Sequence, residues 1–249
     1  MTTRLRPQIA DYSHLEPLPD PPPREPDMQQ ERRIFAFYGI LDLHFAHRDD
    51  VLIAGGGYLR NLPYDSTEIF APDCVIAFGV NPDGIVARNG YVISEVGKPP
   101  DFVLEVASRS TGRRDYTVKR DGYAAYGVQE YWRFDPSGGR FHDASLAGDL
   151  LVGEQYQPFP INQDPDGLLW GYSPMLDLEL CWEQGRLRFR DPYTREFLPA
   201  PAEERLIRES AEARADQAEA RADQAEAQRD AAEERIRQLE AQIQQQQDT

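Results

Sequence analysis

The 249-residue chain carries 43 acidic against 27 basic residues, a net charge of −16, with 40% hydrophobic residues and two cysteines. There is chain enough for a sizeable core, no apolar run long enough to span a membrane, and too few cysteines for a disulfide framework or a cysteine metal site. So acidic a balance argues against a broad nucleic-acid-binding surface, and the lack of an apolar signal region at the N-terminus predicts a cytoplasmic protein.

Residues 1–27 contain Pro17, Pro19, Pro21, Pro22, Pro23 and Pro26. That density excludes helix and sheet interior and predicts an extended or disordered leader, read as a tether. From Met28 to about His47 the residues Ile34, Phe37, Tyr38, Leu41 and Phe45 recur at helical spacing and define one apolar face. His44 and His47, three apart, lack a second ligand pair and read as surface residues at a helix end. Val51 to Leu59 reads as a strand interrupted by Gly55, Gly56 and Gly57, a bulge or a close backbone approach. No Gly-Lys-Ser/Thr follows, so the glycines are not a phosphate loop. Asn61 to Ala71 is a loop, with Glu68 as a candidate outer acid.

Pro72-Asp73 opens an apolar run from Cys74 to Phe78, with Cys74 as a small core hydrophobe. Asn81 to Asn89 supplies turn residues, Tyr91 to Ser94 a strand, and Glu95 to Pro100 a loop into Asp101-Phe-Val-Leu-Glu105-Val-Ala-Ser108. Both apolar runs read as short strands buried on both faces, and Glu105 is the anomaly in the second. An ionised glutamate among Phe102, Val103, Leu104 and Val106 costs several kcal/mol unless it is paired or bound to a metal.

After Glu105 a helix is predicted, with Ser108, Ser110 and Thr111 as N-cap oxygens and Gly127 as its stop. Tyr116, Lys119 and Tyr123, spaced i, i+3, i+7, would share its inward face. Lys98 and Lys119 are the two lysines among the 27 basic residues. A lysine on an inward face suits a site that wants a compact ammonium, although long side chains also cover apolar surface with the charge in water. Asp73, Glu105 and Lys119, from two strands and a helix, are thus expected to converge. Two carboxylates at a sheet edge suit Mg²⁺, and an ammonium beside them suits orienting a metal-bound water or neutralising charge on a phosphate. The alternative is a buried ion-pair network in which Glu105 pairs with Lys119 and Asp73 caps its strand.

Glu130 to Asp135 is a further strand that ends at the turn Pro136-Ser-Gly-Gly139. Residues 140–198 continue in short β pieces, Leu150–Val152 among them. Leu176–Trp182 and Arg186–Phe189 read as hairpin arms around Glu183-Gln-Gly185. No chemical motif stands out there, and His142 reads as a lone structural histidine. No Ser or Cys pairs with a His as a nucleophilic hydrolase requires. In the tail, Ala213 to Glu219 repeats as Ala220 to Glu226. A heptad seam runs through Ala211, Ala215, Ala218, Ala222, Ala225, Ala232, Ile236, Leu239 and Ile243, interrupted by Arg229. Residues 203–247 are therefore expected to form a long helix that self-associates as a weak coiled coil. Residues 203–249 hold 13 acids and seven arginines, so −10 of the −16 belongs to the preceding chain. Arg109, Arg113, Arg114 and Arg120 flank the proposed site and can focus positive charge locally.

Pro72-Asp73, Glu105-Val106-Ala107-Ser108, Lys119, Tyr123, Gly127-Val128 and Glu130-Tyr131-Trp132, in that order, resemble the Uma-type family of restriction endonucleases within the PD-(D/E)XK nuclease superfamily. The similarity extends over roughly residues 30 to 200. It implies an α/β (α+β) restriction-endonuclease-like core with a mixed central sheet flanked by helices. It also implies Asp73 and Glu105 as metal ligands with the Val106 carbonyl, and Mg²⁺ or Mn²⁺ as the metal. The superfamily pattern has Lys two residues after the acid; here that position is Ala107, and the resemblance assigns the role to Lys119. The first helix of that fold lends an acid in some members. Glu31 is the candidate, although an acid there simply favours a helix N-terminus, the preferred reading. The expected organisation is a leader over 1–27, a nuclease-like domain over 28–200 and a helical tail over 203–247. The expected function is metal-dependent hydrolysis of phosphodiester bonds in nucleic acid, DNA first. The alternative is a degenerate nuclease fold that serves as a scaffold through its tail.

Overall fold

Residues 14–18, 28–64, 69–109 and 111–247 are described by the structure, a computed structural model. They fall into two units, Met1–Ala200 and Pro201–Thr249. In chain order the first unit contains α1 (Met28–His44), β1 (Val51–Ala54), β2 (Tyr58–Arg60), β3 (Cys74–Phe78), α2 (Pro82–Arg88), β4 (Gly90–Val92), α3 (Ile93–Val96) and β5 (Phe102–Val106). It continues with α4 (Gly112–Asp115), α5 (Val118–Ala125), β6 (Glu130–Phe134), β7 (Leu146–Val152), β8 (Gln155–Pro158), β9 (Asn162–Gln163), β10 (Leu169–Ser173), β11 (Leu178–Glu183) and β12 (Arg186–Arg190). The second unit is the single helix α6 (Pro201–Gln247).

The central sheet is mixed, with strand order β1-β3-β5-β6-β7-β8. Only β5 and β6 run parallel within it. A parallel pair needs a crossover, and α4 and α5 supply it. Side chains alternate across each strand, so the two apolar runs serve two cores. Cys74, Ile76, Phe102, Leu104, Val106, Trp132 and Phe134 pack with Phe37 and Leu41 of α1 and with Leu178, Leu180 and Phe189 of a four-stranded antiparallel sheet, β12-β11-β10-β9. Val75, Ala77, Val103 and Tyr131 face the opposite way and pack with Tyr123 of α5, Tyr91, Ile85 and Phe70. That parity puts Glu105 on the second face, because it is two residues from Val103.

Several local expectations change. Val51 to Leu59 is two strands in different sheets, with β2 pairing β4 in parallel. Asn81 to Asn89 is not a turn but α2. The Asn81 side chain accepts from Gly84 N at 3.1 Å, Pro82 occupies the first turn, and Asn89 closes the helix in the left-handed region. The strand predicted to reach Ser94 stops at Val92, and α3 takes up residues assigned to strand and loop. The helix expected from Ser108 to Gly127 is two short ones broken at Tyr116–Thr117. There the Thr117 hydroxyl donates to the Arg113 carbonyl at 2.7 Å and competes with the helical ladder. The shared face of Tyr116, Lys119 and Tyr123 is therefore lost for Tyr116, and Lys119 and Tyr123 alone lie on α5. Gly127, at φ +79°, ends that helix as expected. The hairpin of β11 and β12 forms around Gln184 and Gly185, both at positive φ.

Of the proline-rich leader, His14–Leu18 is described. Leu18 is buried, and its N–H donates to the Arg88 carbonyl at 2.9 Å. Glu68 and Ser110 lie outside the described residues, as do the side chains of Glu31, Ala232, Ile236, Leu239 and Ile243. On α6 by itself, Ala211, Ala215, Ala218, Ala222 and Ala225 are exposed. No helix among the described residues is long and apolar enough to cross a membrane.

Candidate active site

Strand pairing brings the two acids together. Cys74 sits opposite Leu104 in the antiparallel β3–β5 pair, and one further step places Asp73 opposite Glu105. Asp73 is buried, and one of its carboxylate oxygens accepts the Val106 backbone N–H at 2.9 Å. Its carbonyl accepts the Tyr38 hydroxyl. A hydrogen bond across the strand ends thus pins Asp73 to the residue after Glu105. Gly55 allows α1 and β3 this contact: a Cβ there would overlap both Tyr38 Oη and the Asp73 carbonyl oxygen, with the carbonyl carbon at 2.9 Å. Of the two alternatives for the glycine run, Gly55 is the close approach. Gly56 contributes a φ of +80°.

Glu105 is 1% exposed. Its carboxylate accepts the Tyr123 hydroxyl at 2.6 Å on Oε1 and meets Lys119 Nζ at 2.8 Å on Oε2. Tyr123 is itself fixed by rings on both sides, with Phe70 at 4.9 Å and Tyr131 at 5.0 Å between centroids. Burial pushes the Glu105 carboxyl above its usual range, Lys119 opposes this, and the Asp73 and Asp115 carboxylates add to it. For Lys119, burial disfavours the charge, but Glu105 and Asp115 outweigh it and raise the pKa, so the ammonium stays protonated.

Lys119 Nζ also meets Asp115 Oδ1 at 2.8 Å, an i, i+4 ion contact that bridges the break between α4 and α5. Asp115 Oδ2 lies 2.8 Å from His142 Nε2, and the Asp115 carbonyl accepts the Tyr131 hydroxyl at 2.7 Å. His142 is therefore not a lone histidine but a partner in this cluster. Asp115 carried a local signal, an acid four residues before a lysine. His142 carried none, because 27 residues and a turn separate it from Asp115.

The turn that delivers His142 is organised by Asp135. Its Oδ1 accepts from Ser137 N and Oγ at 2.7 and 2.5 Å, and its Oδ2 from Phe141 N and His142 N at 2.6 and 2.9 Å. Burial works to raise the Asp135 pKa, but the Ser137 hydroxyl and the three backbone N–H groups outweigh it and hold it below 3.8. A depressed carboxylate contributes stability that is complete above its unfolded pKa and lost as pH falls through the folded one. Asp135→Asn is therefore expected to lose about 1–3 kcal/mol at pH 7. The difference from wild type should narrow below pH 3.8. Urea denaturation of both proteins at pH 7 and pH 3 checks it, and an undiminished gap at pH 3 counts against the assignment.

Asp73 and Glu105 thus share one sheet face, and Lys119 reaches Glu105 from α5. The carboxylates of Asp73 and Glu105 would offer a divalent cation hard oxygen ligands of the kind that suit Mg²⁺ or Mn²⁺. A divalent cation there would relieve the mutual repulsion that helps to raise the Glu105 pKa. Among the described residues no three Asp, Glu, His or Cys side chains form a metal-binding group. Arg109, Arg113 and Arg114 are exposed on the loop and helix leading to Lys119.

A family model, Uma2, described as "Putative restriction endonuclease", matches residues 22–175. Among solved structures, the chain is similar to a "putative nuclease belonging to DUF820 from Anabaena variabilis ATCC 29413", at 14% identity and a TM-score of 0.41, covering 63% of this chain and 76% of that one. No curated protein matches the chain.

Proposed function

The chain belongs to the Uma2 family, and on that premise we propose that the face carrying Asp73, Glu105 and Lys119 is the active site of a metal-dependent endonuclease acting on DNA. The observation that carries this reading is Glu105, a carboxylate buried in an otherwise apolar strand, with Lys119 Nζ at 2.8 Å and Asp73 opposite it across the strand pair. A buried carboxylate with its pKa pushed up is costly in the fold, and such costs concentrate at functional sites.

Asp73, Glu105 and the Val106 carbonyl would hold the divalent cation. When bound, such an ion polarises a phosphoryl oxygen and makes its water more acidic. Lys119, kept protonated between two carboxylates, orients the attacking water and offsets charge developing on the phosphate. Tyr123 holds the Glu105 carboxylate in one rotamer, so the oxygen set is preorganised. The exposed Arg109, Arg113 and Arg114 supply phosphate contacts in spite of the net charge of −16. The α6 helix would pair two copies through its alanine seam, which bears on assembly rather than on chemistry.

Calorimetric titration of Mg²⁺ and Mn²⁺ tests the site. Binding is expected in wild type and lost in Asp73→Ala and Glu105→Ala, and Mg²⁺-dependent nicking of plasmid DNA is expected to follow the same pattern. Wild type that neither binds the cations nor cleaves in their presence would leave the fold as a scaffold.

A further inference from the structure

We infer that Asp115 and His142 are positioning residues that set Lys119 against Glu105, so that the ammonium is aimed by a distant turn and not by its own short helix. This rests on reading Lys119 as part of the active site. A lysine side chain is long and rotamer-rich, so one point of attachment holds it poorly. Here it has two carboxylates, each at 2.8 Å from Nζ. α5 spans Val118–Ala125, so Lys119 lies in its first turn, directly after the break, where backbone support is weakest.

Asp115 is held from two sides, by His142 Nε2 on its carboxylate and by the Tyr131 hydroxyl on its carbonyl. The Asp115 and His142 side chains are both 0% exposed. Asp115 Oδ2 is an acceptor, so Nε2 donates in this bond, and Nδ1 is the other polar atom of the ring. That Nδ1 is buried and has no hydrogen-bond partner. A half-satisfied imidazole is a poor core residue, since a buried polar atom without a partner costs free energy that an apolar side chain would not. The one side-chain hydrogen bond it makes is to Asp115.

The surrounding chain is shaped to deliver that bond. Asp135 gathers the N–H groups of Phe141 and His142 into one turn. Gly112 lets α4 seat against the same turn: a Cβ there would overlap the Phe141 carbonyl oxygen, with its carbon at 3.0 Å. The chain of contacts therefore runs from the Asp135 turn through His142 and Asp115 to Lys119 and Glu105.

The two lysines of the chain make the position of Lys119 directly readable. In the full-length protein, acetylation by acetic anhydride followed by mass spectrometry reports Lys98 and Lys119 separately. Lys119 should be protected in wild type and become reactive in Asp115→Asn and His142→Leu, with Lys98 unchanged. His142→Gln, whose amide can donate where Nε2 does, should restore protection; His142→Asn, which reaches only the Nδ1 position, should not. The Gln and Asn pair keeps the test decisive should the Leu variant fail to fold. If the protein cleaves DNA, the unprotected variants should lose about a hundredfold in kcat with KM little changed, and His142→Gln should recover most of it. Lys119 labelling that is the same in folded wild type, His142→Gln and His142→Asn overturns the inference, whether or not the protein cleaves. Labelling that follows the expected pattern in a protein that never cleaves supports the positioning chain and overturns the endonuclease reading alone.

Discussion

Lys119→Met is expected to lower Mg²⁺-dependent DNA cleavage by about 10²–10⁴-fold, the range for losing a positioned proton-transfer or charge-stabilising group. The substitution keeps the length and apolar stem of the side chain, so the change is the loss of charge. It leaves Glu105 and Asp115, both buried, without the ammonium that stands 2.8 Å from each. Breaking a buried ion pair costs about 3–5 kcal/mol when the remaining charge has no escape. Glu105 has one: its pKa, already raised by burial, rises further and the carboxyl takes up a proton. A carboxyl whose folded pKa lies above its unfolded one loses stability as pH climbs from the unfolded value towards the folded one. With Lys119 in place the Glu105 pKa already stands at about 8, so the stability deficit of Lys119→Met should stay level between pH 4.5 and about 8, where the carboxyl is protonated in both folded proteins, and widen above that. Chemical denaturation across that range, with cleavage measured on folded protein, separates the two effects. Cleavage within a few-fold of wild type would remove Lys119 from the chemistry.

Gly55→Ala is expected to be the most damaging single methyl in the first unit. The added Cβ collides with the Asp73 carbonyl, a backbone group that no rotamer change can move, and with the Tyr38 hydroxyl that donates to it. Overpacking of this kind costs about 1–3 kcal/mol, occasionally more. The strain falls on the β1–β3 pairing and on the residue proposed as a metal ligand. Both a lower denaturation midpoint and weaker Mg²⁺ binding should follow. Gly57→Ala is the control, because a Cβ there meets nothing nearer than 3.6 Å. Its behaviour should match wild type, and equal damage from the two substitutions would mean that the glycine run matters for flexibility rather than for close approach.

The central strands were legible because their signal is local. Val103 and Val106 belong to an apolar run too short for a helix, and the period of two then assigns Glu105 to the face of Val103 without any tertiary information. Where two local signals compete, the reading failed. Asn81-Pro82-Asp83 carries both turn and helix-start chemistry, and the burial of Ile85 decides for helix. The continuous helix predicted from Ser108 to Gly127 has candidate caps at both ends, but the chain breaks at Tyr116–Thr117, where the Thr117 hydroxyl takes the Arg113 carbonyl.

By itself the amino-acid order determined the elements that bury apolar surface, the presence of an ionisable group where the core demands none, and the heptad pattern of the tail. Pattern and composition act over a few residues, so they suffice for those. What Glu105 faces was decided only in three dimensions: register sets Asp73 across from it, the α4–α5 break turns Lys119 and Asp115 toward it, and the turn at Asp135 brings in His142. Contacts between residues 27 or 33 apart leave no periodic trace in a chain, because each partner's local neighbours are satisfied by either arrangement. Their geometry is a property of the packed sheet face alone.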